Sequence, residues 1–186
     1  MQYLATVVRC LIGVVFLVSF ASKVARRNAF QGFTASIRGM RVLPSRLTTP
    51  AALLVVAGEA AACLLLAVPV RAANVAGLMV ASGLLVTFSI GIVVSLRRGV
   101  QAPCRCFGAS TTPLRGRHVV RNVGLIGACT VGAAAMLTPT APAQAGGVAV
   151  AMATGLLLGG LLTVLDDIVE LFGSTSGQAT GERGRR

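Results

Sequence analysis

The most unusual segment of the chain is Pro103-Cys104-Arg105-Cys106-Phe107-Gly108-Ala109-Ser110, which sets two thiols one residue apart. Such a pair can close only a small, strained ring, and strain raises the reduction potential of a disulfide, so the pair would exchange rather than staple a fold. Arg105 between the thiols, with Arg97 and Arg98 upstream, favours the thiolate and hence nucleophilicity. Thiol–disulfide exchange is the chemistry this spacing suits, with Cys104 and Cys106 as the reacting residues. Two plainer readings stand beside it. The thiols could be ordinary loop residues in a tight turn made by Pro103 and Gly108, or metal ligands together with His118. The metal reading is the weaker, because zinc sites favour two to four residues between paired cysteines and need four ligands. No Cys-x-x-Cys-His haem attachment sequence occurs, so neither a metal nor a cofactor is expected.

The other cysteines, Cys10, Cys63 and Cys129, lie inside apolar stretches, where a thiol is usually a small hydrophobe. Five cysteines at scattered spacing make no disulfide framework. Cys10 and Cys63 fall at similar depth in their stretches and could meet. Cys129 is either a packed apolar thiol or a relay. Glu59 is the one acid deep in an apolar stretch, and a lone carboxylate in lipid is costly enough to require a partner. Arg9 is the expected partner, as structural glue more than as a proton relay. Asp166, Asp167 and Glu170 sit at the end of the last apolar stretch, where a solvated face is the simplest account. With one His, no GxGxxG, no Walker loop and no Ser/His/Asp set, an enzyme here would be a thiol enzyme.

The elements carrying these residues are membrane helices. Hydrophobic residues form 55% of the 186 positions, charged ones 12%, and mean hydropathy is +0.82, far from a soluble domain. A hydrocarbon core about 30 Å thick needs roughly 20 apolar residues per helix. Five stretches qualify, at 3–22, 50–70, 73–96, 119–137 and 147–168. The expectation is an all-α polytopic bundle of about five helices, a four-helix core plus a fifth, spanning 1–172 as one domain, with 173–186 a disordered polar tail. Gly155 and Gly159 form a small-xxx-small spacing suited to close helix packing. The first stretch lacks a basic region ahead of it and is followed by Lys23, Arg26 and Arg27, so it reads as a retained helix rather than a cleaved signal. Arg and Lys cluster in the first and third connections and in the tail, while the second connection holds Arg71 alone and the fourth none. The positive-inside rule then puts the N-terminus outside and the C-terminus in the cytoplasm of a multi-pass cell-membrane protein. The net charge of +12 is thereby explained by topology, and nucleic-acid binding is not expected. The lipid bilayer is the partner that composition implies.

The run Arg97-Arg98-Gly99-Val100-Gln101-Ala102-Pro103-Cys104-Arg105-Cys106-Phe107-Gly108 after a long apolar helix, with Arg121 and Asn122 opening the next, resembles the methylamine utilisation MauE family, related to the DoxX-like membrane proteins. Arg9 with the first helix, and Glu59 in the second, agree with it, so the resemblance covers about 1–137. It implies four or five membrane helices with the Cys-x-Cys-Phe-Gly motif after the third, and a role in disulfide formation or reductant transfer during maturation of an exported, disulfide-rich dehydrogenase subunit. It implies a thioredoxin-like partner as well. Arg105, Phe107, Gly108, Arg121 and Asn122 are then the residues supporting the thiols. A non-catalytic membrane scaffold or assembly factor is the alternative function.

Overall fold

The structure is a computed structural model and describes residues 1–99, 116–138 and 144–178, with side chains as far as residue 164 except that of Arg27. Every element among them is a helix: α1 (Gln2–Val24), α2 (Arg27–Gly39), α3 (Ser45–Ala67), α4 (Arg71–Arg97), α5 (Gly116–Leu137) and α6 (Ala145–Gln178). Five of these, all but α2, are long and apolar enough to cross a membrane. The chain is therefore a multi-pass, all-helical membrane protein, as its hydropathy predicts.

Helix ends follow proline and capping chemistry more closely than hydropathy. α3 starts at Ser45, five residues before the expected 50, because Pro44 sets the N-cap. Thr48 Oγ1 then donates to Ser45 O within the first turn. α3 stops at Ala67, just ahead of Pro69, which cannot continue a helix. α6 runs on to Gln178, into the segment expected as a polar tail. No proline follows Pro142 to end it; residues 179–186 lie outside the described residues.

α1 is the hub, touching each of the other five helices. Val8, Ile12, Val15 and Phe16 from α1 meet Ala62 and Leu66 of α3, Leu78, Ala81 and Leu85 of α4, and Leu125 and Cys129 of α5 in one buried cluster. Exposed leucines such as Leu54, Leu64 and Leu157 point outward, as expected when the surrounding solvent is hydrocarbon. α6 touches only α1 among the described residues, and it does so through small residues four apart: Gly147, Ala151, Gly155 and Gly159. A Cβ at Gly155 would strike Val7 O, and one at Gly159 would lie 2.9 Å from Leu11 O. Backbones this close need glycine, and in lipid such contact replaces the hydrophobic drive that water supplies elsewhere.

α2 is the one helix the hydropathy pattern leaves out. It is too short and too polar to span, and it lies across the end of the bundle with Phe33, Thr34 and Ser36 buried. It packs on α1 and α3.

Candidate functional site in the bundle interior

The bundle holds a charged triangle where lipid-like packing would be expected. Lys23 Nζ donates to Glu59 Oε1 at 2.8 Å and to Ser19 Oγ at 2.8 Å, and Ser19 Oγ donates to the same carboxylate oxygen at 2.8 Å. All three side chains are buried. Helix geometry explains how Lys23, one residue from the end of α1, reaches inward. Side chains lean toward the helix N-terminus, so the lysine hangs back over Ser19, one turn earlier, and into the bundle. α2 closes the site from the end: the Phe33 ring lies 4.9 Å from Nζ, ring centroid to nitrogen, a cation–π contact in a dry setting. Glu59 Oε2 meets no hydrogen-bond donor among the described residues.

The same lean corrects the expected pairing of Arg9 with Glu59. Arg9 tilts away from Glu59, toward the start of α1, and donates from Nε to Leu66 O and from Nη2 to Ala67 O, the latter at 3.0 Å. It thus caps the last turn of α3, whose final carbonyls have no intrahelical partner. Arg71 does likewise for α5, donating to Thr138 O at 2.9 Å. The two arginines at the weakly charged end are therefore helix caps. Lys23, which sequence counting assigns to the loop as a topology marker, is the residue that neutralises Glu59.

Asn122 is buried, and its depth follows from register. Gly132 packs on Val8 so closely that a Cβ would lie 2.6 Å from Val8 Cγ1. Ten residues on along α1, and ten back along the antiparallel α5, bring Asn122 level with Val18 and Ser19, the depth of the Lys23–Glu59 pair. Arg121 precedes it, half-buried. At the same end, Arg98 Nη1 donates to Arg41 O at 2.6 Å and Ser95 Oγ to Met40 O at 3.3 Å, tying the end of α4 to the turn after α2. Cys104, Arg105, Cys106, Phe107 and Gly108 lie outside the described residues. Chain connectivity alone assigns them to the link between α4 and α5.

The sequence profile described as methylamine utilisation protein MauE matches residues 1–138. The chain belongs to the MauE family. The match takes in α1 to α5, the charged triangle and the Cys-x-Cys link, and it ends before α6. No curated protein and no solved structure is significantly similar to the chain.

In this MauE-family bundle the three remaining cysteines are all free thiols and separate into two settings. Cys129 is buried in the core cluster among α1, α4 and α5. Cys10 and Cys63, half-buried, line a single cleft of 490 Å³ with Arg9 at one end. The sequence sets these two at similar depth in their helices, and both line this cleft.

Proposed function

We propose that this MauE-family protein is a membrane thiol–disulfide component. Cys104 and Cys106 exchange with a thioredoxin-like partner and so support maturation of exported or disulfide-containing proteins. The observation that carries the reading is the Cys104-Arg105-Cys106-Phe107-Gly108 motif, held in a short link between two membrane helices of a chain in this family. Methylamine utilisation is the setting that the family's description names. Arg105 and Arg121 supply positive charge that favours thiolate, and Phe107 and Gly108 shape the turn. The distribution of Lys and Arg supports an orientation with the N-terminus outside and the Cys pair at the cytoplasmic face. In the exchange, a partner thiolate attacks the Cys104–Cys106 disulfide, a mixed disulfide forms, and the partner's second thiol resolves it. The partner leaves oxidised and the pair is left as two thiols, with no other reactant consumed.

A single Cys106→Ser change leaves Cys104 able to hold the mixed disulfide. The expected result is a reductant-sensitive adduct in membranes from cells carrying that variant, absent when both residues are Ser. Full activity of the double Ser variant in maturing its client would overturn the redox reading and leave that of a scaffold.

A further inference from the structure

A second pair of thiols lies on the flank of the bundle. Cys10 of α1 and Cys63 of α3 line a 490 Å³ cleft that also reaches α6 through Met152 and Leu156. Its rim residues Leu17 and Leu64 are exposed, so in a bilayer the cleft opens sideways into lipid. Gly13 forms part of its wall, and a Cβ there would meet nothing within 4 Å, so the cleft is open at this point. Arg9 supplies the cleft with its one cation, having committed Nε and Nη2 to the carbonyls of α3. A guanidinium carries five N–H donors, so more remain for a ligand.

These features limit what can react there. A soluble thioredoxin-like protein cannot enter an apolar cleft inside the membrane. A reagent that reaches both thiols must be lipid-soluble, must take two electrons and two protons, and must offer an oxygen acceptor to Arg9. We propose that the cleft binds a lipid-soluble quinone with a carbonyl oxygen on Arg9, and that Cys10 and Cys63 form a second, intramembrane redox pair oxidised by it. The step balances: the two S–H bonds break and one S–S bond forms. The two protons and two electrons pass to the quinone, which leaves as hydroquinone. Bond formation draws the two Cα atoms to within about 7 Å. The reading does not depend on Cys104 and Cys106.

The test uses the full chain with Cys104, Cys106 and Cys129 changed to Ser, reduced, in lipid nanodiscs without oxygen, and mixed with decylubiquinone. The expected result is loss of both free thiols, counted by mass-tagged maleimide after denaturation, with one hydroquinone formed per chain by ultraviolet absorbance. Gly13→Leu, which fills the cleft and leans back toward Cys10 one turn earlier, is expected to slow quinone oxidation at least tenfold while the small oxidant diamide still closes the bond, a control that the thiols themselves stay reactive. Thiols that stay free with quinone would overturn the proposal, whether or not diamide oxidises them. Oxidation of the Gly13→Leu variant at the parent rate would overturn it equally.

Discussion

Replacing Lys23 with Met leaves the Glu59 carboxylate fully buried with only Ser19 to bond it. Glu59 lies level with Ser19, five residues from the end of α1, about 7.5 Å at 1.5 Å per residue, still beyond what its short side chain can span to reach water. Removing one partner of a buried pair costs about 3–5 kcal/mol. At roughly 2–4 °C per kcal/mol for a chain of this size, that is a fall in Tm on the order of 10 °C. Glu59→Leu is expected to cost less, because Lys23 is next to the end of α1 and its long stem lets the ammonium turn out toward the interface. The double variant, with Met and Leu in place of the pair, is expected to recover most of the loss, since apolar groups of similar volume replace buried ion pairs at little cost. Thermal unfolding followed by size-exclusion chromatography in detergent gives all four corners of the cycle. A coupling energy of about 2 kcal/mol or more is expected from residues in contact. Additive single effects, or a double variant less stable than either single one, would refute the argument that these two charges hold each other in the bundle.

Gly155→Leu is expected to push α6 off α1, at an overpacking cost of about 1–3 kcal/mol, read as a lower Tm. Disulfide cross-linking between engineered cysteines on α1 and α6 should weaken with it. Phe33→Ala removes the ring over Lys23 and a fully buried side chain, a loss of about 3–5 kcal/mol, and trypsin added to solubilised protein should then cut at Arg26 and Arg38 much faster than in the parent. A chain ending at residue 144 is expected to insert and keep the α1 to α5 bundle, because α6 touches α1 alone among the described residues. Retention of the Lys23–Glu59 coupling energy in that shortened chain is the measurement that checks it.

The five spans were legible because lipid demands some twenty apolar residues in a row, and nothing else in the sequence competes with that signal. α2 escaped because a span template does not fit 13 residues rich in polar side chains. Its signal was present all the same: Phe30, Phe33 and Ile37 recur at helical spacing on the side that covers the bundle. The need for a partner at Glu59 was legible from the cost of a lone carboxylate, and its identity was not. Counting charges by loop treats a lysine at a helix end as a topology marker, whereas the lean of helix side chains toward the N-terminus turns Lys23 inward and Arg9 outward. The same rule, applied to each charged residue at a helix end, would have selected Lys23. The close packing of Gly155 and Gly159 was readable from their spacing; which helix they meet depended on the three-dimensional path of the chain. Cys104 and Cys106 were found by residue type alone and lie outside the described residues, so their role rests on chemistry and family membership.

Labelling Cys104 and Cys106 with a membrane-impermeant maleimide tests side and redox state together. It is done in intact cells and in inverted vesicles, with and without prior reduction, in a chain lacking Cys10, Cys63 and Cys129. An exchangeable pair at the cytoplasmic face predicts labelling in inverted vesicles only, rising after reduction. Labelling from outside would contradict the proposed orientation, and labelling that reduction leaves unchanged on both faces would contradict the redox role itself.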